Sequence, residues 1–169
     1  MSETRTITLA GGCFWGTEKL FSLVRGVTNT QVGYANGPAE GPVTYEQVCA
    51  GSGHAEAVRV DYDPQVVSLA TLVDLFFDTI DPFAVNRQGN DRGVQYRSGI
   101  YVQDQGDLAE VAALVAALEQ RLGASPVATE VAPLRNFHPA EDHHQDYLDK
   151  NPLGYCHLGP AAFAKAKAI

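Results

Sequence analysis

A cysteine at position 13 lies where the chain passes from one predicted element to the next. The run Thr6–Ala10 alternates and is rich in β-branched residues, as a strand is. After Cys13, apolar residues recur at helical spacing as far as Val24, and Gly26 follows as a helix stop. Cys13 is therefore predicted at a helix start, where unpaired backbone N–H groups favour the thiolate, the nucleophilic form of cysteine.

The residue type alone leaves a second interpretation of Cys13 open. A free cysteine at a tight turn is as often a small, buried and inert side chain. The neighbouring Phe14 and Trp15 favour the reactive interpretation. Two large aromatic residues at an accessible helix start are explained if they line a pocket for a small apolar group, and ordinary core packing of the same rings is compatible with that role.

Glu56 is the carboxyl group whose position suggests that it holds a proton. The predicted strand Ala55–Tyr62 has Glu56 on the same face as Val58, Val60 and Tyr62. On a core-facing position, desolvation raises the pKa of a carboxyl and keeps it protonated, which suits general acid catalysis. The alternative is that Glu56 lies at the strand end and faces water.

Motifs along nearly the whole chain resemble those of the A-type peptide methionine sulfoxide reductases, in the same order. The first motif is Gly12-Cys13-Phe14-Trp15-Gly16, and the similarity runs from about Leu9 to Cys156. The others are Gly33-Tyr34, Thr44-Tyr45, Gly53-His54-Ala55-Glu56, Tyr62-Asp63-Pro64, Asp81-Pro82, Arg87-Gln88-Gly89-Asn90-Asp91, Gln95-Tyr96-Arg97-Ser98, Ala140-Glu141-Asp142, His144-Gln145 and Lys150-Asn151-Pro152.

This resemblance implies a thiol oxidoreductase that reduces the S epimer of methionine sulfoxide, free or in proteins. Cys13 would attack the sulfoxide sulfur and become a sulfenic acid, while Glu56 would protonate the departing oxygen. Cys156 would capture the sulfenic acid in a Cys13–Cys156 disulfide, which thioredoxin would reduce. Cys49, in the glycine-rich region, is expected to be structural.

The resemblance also implies a set of substrate-binding residues. Phe14 and Trp15 are expected to surround the S-methyl group, and Tyr45 and Tyr96 to donate hydrogen bonds to the sulfoxide oxygen. From the residues alone, both tyrosines would be solvent-facing or packing residues of long loops. Asp91 is expected to order the second of these loops near the site.

Three histidines, His138, His143 and His144, cluster towards the C-terminus with Glu141 and Asp142 between them. Their spacing fits no common metal-binding motif, so we expect no metal. The resemblance places His144 near the site in a supporting role. His138 departs from the family pattern, in which an aromatic residue is more usual.

Two other functions stay open from the residues alone. A cysteine acyl-transfer enzyme would use Cys13 with His54 or His144 as its base, but a Phe–Trp wall and a protonated Glu have no obvious use in that chemistry. A non-catalytic binder of methionine-like side chains would leave Cys156 without a purpose. Neither a phosphate-binding glycine loop nor a flavin motif occurs, so no cofactor is expected.

Composition and charge exclude several classes of protein. The 169 residues, 45% of them hydrophobic, suit a single catalytic domain over residues 1–169. The net charge of −8, with 12 basic against 20 acidic residues and no basic run, argues against nucleic acid as a partner. No membrane span, secretory signal or disulfide framework is evident, so a cytoplasmic protein with reduced thiols is expected, with a monomer as the default.

The predicted elements give an α+β fold. The first six follow the order β-α-β-β-α-β, which is that of a ferredoxin-like core. They are a strand at Arg5–Ala10, a helix at Cys13–Arg25, strands at Val27–Tyr34 and Ala55–Tyr62, a helix at Leu69–Ile80 capped by Ser68, and a strand at Ser98–Gln103. Two long loops, Gly33–Gly53 and Asp81–Arg97, hold most of the family-like residues and are expected to form the active site. A helix at Leu108–Leu122, a strand at Val127–Ala132, a helix at Pro139–Lys150 and an irregular C-terminal extension are expected to follow.

Overall fold

A six-stranded mixed sheet forms the centre of the protein. The computed structural model describes residues 3–38, 42–123 and 125–169. The strands of this sheet are β1 (Arg5–Gly11), β2 (Val27–Ala35), β3 (Ala55–Tyr62), β6 (Ser98–Val102), β7 (Glu130–Pro133) and β8 (Phe137–Pro139). They lie in the order β7-β6-β1-β3-β2-β8. Neighbours are antiparallel except for β6 and β7, which are parallel.

The helices and a small hairpin complete the described elements. The helices are α1 (Phe14–Ser22), α2 (Tyr45–Cys49), α3 (Leu69–Asp78), α4 (Gln105–Arg121), α5 (Tyr147–Lys150) and α6 (Pro160–Lys167). The strands β4 (Arg87–Gln88) and β5 (Asp91–Arg92) pair as a separate hairpin, and 3₁₀ turns occupy Val94–Tyr96 and Asp142–His144.

The main hydrophobic core lies between the sheet and the helices. Strand residues such as Leu9, Val58 and Val60 pack there with Phe21 of α1 and Phe76 of α3, all essentially inaccessible to solvent. Alternation along the strands produces this arrangement, because successive side chains point to opposite faces. A smaller cluster contains alanines of β1, β2 and β3 with Tyr101.

Most of the predicted strands and helices are confirmed. Strand β3 has the predicted bounds, and β1, β2 and β6 differ from theirs by one residue. Ser68 caps α3 by accepting a hydrogen bond from the backbone N–H of Thr71. The fold is therefore a mixed α/β arrangement with helices packed on one central sheet.

Neither of the two long regions is a plain loop. Within Gly33–Gly53, β2 extends to Ala35, and Tyr45 opens the short helix α2, whose start is fixed by a capping box between Thr44 and Gln47. The region Asp81–Arg97 contains the β4–β5 hairpin and a 3₁₀ turn. Side-chain hydrogen bonds hold both regions, and hydrophobic periodicity does not report such bonds.

The predicted helix at Pro139–Lys150 is wrong. His138 and Pro139 instead belong to β8, where they pair with Tyr34 and Gly33 of β2. Asp146 then adopts a left-handed backbone conformation with φ of 52°, which interrupts any continuous helix. Only Tyr147–Lys150 is α-helical.

The C-terminal extension is also more regular than expected. It contains α6, which begins at Pro160 directly after Gly159. Its Ala-rich sequence has no clear apolar stripe, which is why periodicity did not indicate a helix. Ala166 is nevertheless fully buried in the main core.

Candidate active site

Cys13 lies at the turn that joins β1 to α1. Gly12 makes this turn with a positive φ of 89°, and a Cβ there would lie 2.8 Å from Cβ of Gln88, so only glycine fits without strain. Cys13 is the residue that precedes the first turn of α1, as predicted.

The protonation state of Cys13 differs from the expectation. Its side chain is buried, with 8% exposed. Burial, with a smaller contribution from the charge of Glu56, raises the pKa of the Cys13 thiol to about 12, although the backbone N–H of Trp15 opposes that rise. Desolvation therefore outweighs the helix N-terminus, and the resting side chain is a thiol rather than a thiolate.

Glu56 lies beside Cys13 and is almost completely buried. One carboxyl oxygen, Oε1, accepts a hydrogen bond of 3.2 Å from the backbone N–H of Phe14, the residue after Cys13. The other, Oε2, has no hydrogen-bond partner in the part of the chain that the structure describes. Burial raises the pKa of Glu56 to about 8, and the Phe14 N–H opposes that rise. Glu56 is thus protonated at neutral pH, as its core-facing strand position predicts.

Two phenols share the electrostatic environment of Cys13 and Glu56. Tyr45 lies at the start of α2 and Tyr96 at the end of a 3₁₀ turn, and both are half-buried. Burial raises the pKa of each phenol, and the charges of Glu56 and Cys13 add to that rise. Both therefore remain neutral hydrogen-bond donors.

Trp15 is held in place by two residues near the C-terminus. Its ring stacks on Tyr147, with centroids 3.8 Å apart and planes 11° from parallel. Its Nε1–H donates a 3.1 Å hydrogen bond to Nδ1 of His144. Because an indole nitrogen only donates, Nδ1 of His144 is the acceptor and the ring proton lies on Nε2.

His144 is surrounded by aromatic rings and stays neutral. It is 3% exposed, and its ring centroid lies 5.4 Å from that of Phe14 and 4.6 Å from that of Tyr45. Burial lowers the pKa of His144, and the neighbouring His143 lowers it further. The predicted residues Phe14, Trp15, Tyr45 and His144 therefore form one aromatic cluster next to Cys13.

Glu141, which was not predicted as a site residue, holds this aromatic cluster in place. Glu141 accepts a 2.8 Å hydrogen bond from the Tyr34 hydroxyl and a 3.1 Å hydrogen bond from the backbone N–H of Tyr45. Glu141 and Tyr34 both occur in family-like motifs, but a motif does not say which residues pair. The bond explains why the start of α2 lies against β2.

Asp91 connects the β4–β5 hairpin to the C-terminal segment. Its Oδ2 accepts a 2.9 Å hydrogen bond from the hydroxyl of Tyr155. The sequence did not predict this partner, and the role of Asp91 in ordering its own loop stays a prediction. Tyr155 directly precedes Cys156, so the hairpin also holds the segment that carries this cysteine.

The three cysteines are free thiols in different surroundings. Cys156 is partly buried and packs against the first turn of α1, where a Cβ on Gly16 would lie 3.1 Å from its Sγ. Its Sγ also accepts a 3.4 Å hydrogen bond from the backbone N–H of Leu158. Cys49, at the end of α2, is an exposed residue whose side chain interacts with the Tyr45 phenol.

The two histidines considered as bases for Cys13 are committed elsewhere. Nδ1 of His144 accepts from Trp15, and His54 is fully buried with its Nδ1 2.9 Å from the Ser52 hydroxyl. Within residues 3–38, 42–123 and 125–169, no group of three or more His, Cys, Asp or Glu residues is placed to hold a metal ion. In the same ranges, no helix combines the length and apolar character needed to cross a membrane.

Several known proteins are similar to this chain in sequence or in structure. The family model described as peptide methionine sulfoxide reductase matches residues 5–168. The protein named peptide methionine sulfoxide reductase MsrA from Lachnoclostridium phytofermentans is 50% identical over 164 residues, which cover 96% of this chain and 98% of that protein.

Two crystal structures from Saccharomyces cerevisiae are also similar. Reduced Mxr1 is 41% identical with a TM-score of 0.85, and the match covers 91% of this chain and 89% of that one. Mxr1 in complex with Trx2 is 30% identical with a TM-score of 0.61, covering 86% and 85%. The extent of these matches, together with the buried cysteine and glutamic acid, shows that the chain belongs to the peptide methionine sulfoxide reductase family.

Proposed function

We propose that this methionine sulfoxide reductase acts on the S epimer, free or in proteins, with Cys13 as nucleophile and Glu56 as general acid. The observation that carries the proposal is the Glu56 carboxyl group. It is buried next to Cys13, it is protonated at neutral pH, and its Oε2 has no partner among the described residues. A buried carboxylic acid in this state can donate a proton to a sulfoxide oxygen.

The first half of the reaction transfers one oxygen atom. The protonated Glu56 donates to the sulfoxide oxygen, which makes the sulfur more electrophilic, and Sγ of Cys13 attacks that sulfur. The thiol proton replaces the one that Glu56 gave up. The substrate's S–O bond then breaks as the oxygen passes to Sγ of Cys13, and the transient S–S bond between Cys13 and the substrate breaks as well. The products are a thioether and a Cys13 sulfenic acid, so atoms and electrons balance.

The aromatic cluster supplies the pocket for the substrate. Phe14 and Trp15 are placed to surround the S-methyl group, where sulfur–aromatic contact is favourable. Tyr45 and Tyr96 are neutral donors for the sulfoxide oxygen. His144 acts by holding Trp15.

Asp91 has a separate role, which is to hold the hairpin and Tyr155 at one side of the site. Its support is the hydrogen bond that its carboxylate accepts from the Tyr155 hydroxyl. We therefore treat Asp91 as a positioning residue of the substrate site.

Cys156 is the proposed resolving thiol. It lies against the same first turn of α1 that follows Cys13, and the two thiols affect each other electrostatically. Attack of Cys156 on the sulfenic acid forms a Cys13–Cys156 disulfide and releases water. Thioredoxin is the proposed reductant, supported by the Mxr1 relative, whose structure is known in complex with Trx2. The cycle needs no cofactor.

The protein is proposed to be a cytoplasmic monomer, and its residues 1–169 are proposed to form one catalytic domain. Free thiols suit a reducing compartment, and α6 packs through Ala166 into the same core as the strands. We also class the core as ferredoxin-like. The support is the strand order β6-β1-β3-β2, in which all neighbours are antiparallel. Along the chain, helix α1 follows β1 and helix α3 follows β3.

The experiment is to add each epimer of methionine sulfoxide to the reduced protein and follow both methionine formation and intact mass. The S epimer should yield about one methionine per protein, and the protein should lose two hydrogen atoms. Cys13→Ser should do neither, because oxygen cannot replace a sulfur that must be oxidised. Turnover of the R epimer at an equal rate, or activity in Cys13→Ser, would contradict the proposal.

A further inference from the structure

We propose that His157 accepts the proton of the Cys156 thiol when Cys156 attacks the Cys13 sulfenic acid. This rests on the proposed resolving role of Cys156 and adds a residue to that step. His157 is the side chain directly after Cys156, and the sequence motifs gave it no role.

The position of the imidazole is the first support. A Cβ on Gly16 would lie 3.1 Å from both Sγ of Cys156 and Nδ1 of His157. A Cβ on Gly12 would lie 3.7 Å from Nε2 of His157. The ring thus lies close to the turn before Cys13 and to the first turn of α1 after it, and its Nδ1 and the Cys156 sulfur both approach Gly16.

The unused hydrogen-bonding capacity of the ring is the second support. Both Nδ1 and Nε2 are buried, and apart from a weak interaction with the backbone of Gly11 neither has a hydrogen bond within the part of the chain that the structure describes. A buried imidazole with so little hydrogen bonding lowers the stability of the fold, so its presence here indicates a functional role. Proton transfer with the adjacent thiol is such a step.

The charges around His157 are compatible with a base. Burial lowers its pKa, while the charge of Asp91 on the hairpin and the nearby backbone of Gly11 raise it, and burial has the largest effect. The other titratable groups facing this region are Cys13 on the turn before α1, and Cys156 and Tyr155 on its own segment. At neutral pH the ring is therefore uncharged and can take up a proton.

The proposed step balances without any further reactant. The Cys156 thiol gives its proton to His157, and the thiolate attacks Sγ of Cys13. The S–O bond of the sulfenic acid breaks, and the hydroxide leaves with the proton that His157 returns. The products are the disulfide, water and an unchanged neutral histidine. The N–H of Leu158, which already donates to Sγ of Cys156, stabilises the thiolate while it exists.

The test compares the parent with His157→Gln in single-turnover reactions with methionine S-sulfoxide at pH 6.5. Methionine release and disulfide formation are followed separately, and dimedone traps any sulfenic acid. His138→Gln is the matched control, since His138 lies on the edge strand β8. The methionine burst should be unchanged in all three proteins.

Disulfide formation should be slower in His157→Gln by a factor of about 10 to 100 at pH 6.5. At that pH little hydroxide is present in solution, so removal of the thiol proton depends on a nearby base. As the pH rises to about 9, hydroxide can take over that role, and the variant should approach the parent rate. Dimedone should label Cys13 more strongly in the variant at pH 6.5 than at pH 9.

Three outcomes have different meanings. Equal disulfide rates in the parent and His157→Gln at pH 6.5 would overturn the role of His157. A variant that is equally slow at every pH would also overturn it, because that result indicates a displaced C-terminal segment rather than a missing base. If the parent itself forms no Cys13–Cys156 disulfide, then the resolving role of Cys156 fails, which is a separate result.

Discussion

Cys13 and Glu56 share a buried volume in which neither side chain ionises easily. Each would lose hydration on becoming charged, and a charge on Glu56 raises the pKa of Cys13. The free protein therefore holds a neutral thiol next to a neutral carboxylic acid. Such a pair suits a substrate whose oxygen needs a proton at the same time as its sulfur needs a nucleophile.

This state of Cys13 can be tested by alkylation of the reduced protein without substrate. With limiting iodoacetamide at pH 8, Cys49 should be modified before Cys13, because Cys49 is exposed whereas Cys13 is buried with a pKa of about 12. Peptide mass spectrometry at several times gives the order of labelling. Faster labelling of Cys13 would mean that the helix N-terminus dominates over burial.

Glu56→Gln tests the proton donor. Glutamine can still accept the Phe14 N–H and donate a hydrogen bond, but it has no acidic proton. Reduction of the S-sulfoxide should slow by about 10² to 10⁴-fold, the range typical of general acid catalysis. The measurement is the single-turnover rate of methionine formation, with Glu110→Gln on the exposed face of α4 as the control. A loss of less than about tenfold would argue against this role for Glu56.

The C-terminal segment that follows α5 places Cys156 against the first turn of α1, which is far away in sequence. Cys156→Ser should leave the methionine burst intact, because the first half of the reaction uses Cys13 and Glu56. The sulfenic acid should then persist and react with dimedone, and thioredoxin-driven turnover should collapse because no disulfide forms. A small thiol such as dithiothreitol should restore part of the steady-state rate.

Cys49→Ala is the matched cysteine variant for this experiment. Its thiol is exposed on α2, and we expect full activity and an unchanged disulfide in peptide maps. A Cys13–Cys49 disulfide in the oxidised parent would show that Cys49 is the resolving residue. Equal thioredoxin-driven turnover in Cys156→Ser and the parent would also show that Cys156 is not the resolving residue.

The elements that periodicity predicts are those whose burial follows from a repeating pattern. Strand β3 alternates, and α3 has an apolar stripe with a Ser68 cap, so both could be predicted closely. The short helix α2 and strand β8 depend instead on single contacts, such as the bond from Tyr45 to Glu141 and the pairing of His138 with Tyr34. These contacts join residues about a hundred positions apart, which a local pattern cannot indicate.

The same distinction applies to the site. Cys13, Glu56 and the aromatic pair could be identified from local sequence, because a strand end, a helix start and a core-facing carboxyl are local features. The partners of those residues could not. Tyr147 stacks on Trp15, and Tyr155 reaches Asp91, only because the C-terminal segment folds back over α1 and the hairpin.

For the molecule as a whole, two buried glutamic acids link stability to pH. Glu56 and Glu18 are both less than 3% exposed, and burial raises their pKa values to about 8 and about 7. Glu18 is the better satisfied of the two, since it accepts hydrogen bonds from the backbone N–H of Asp146 and the Thr30 hydroxyl. Glu56, with an unpaired oxygen, should have the larger effect.

The sign of that linkage gives a prediction for unfolding. Unfolded glutamic acid titrates near 4.5, so between about pH 4.5 and 8 the folded protein keeps protons that the unfolded chain has released. The contribution of each group to the free energy of unfolding is therefore full below pH 4.5 and is lost as the pH rises to its folded pKa, about 7 for Glu18 and about 8 for Glu56, with a slope of up to about 1.4 kcal/mol per pH unit for each. Glu56→Gln stays neutral at every pH. It should match the parent near pH 4.5, should lose less stability as the pH rises, and should be the more stable protein at pH 8.5.

Urea unfolding at several pH values measures this difference in stability, with Glu110→Gln expected to follow the parent. If Glu56→Gln retains the parent's slope between pH 5 and 8, the carboxyl group is ionised in the folded protein and cannot be the proton donor proposed for the reaction.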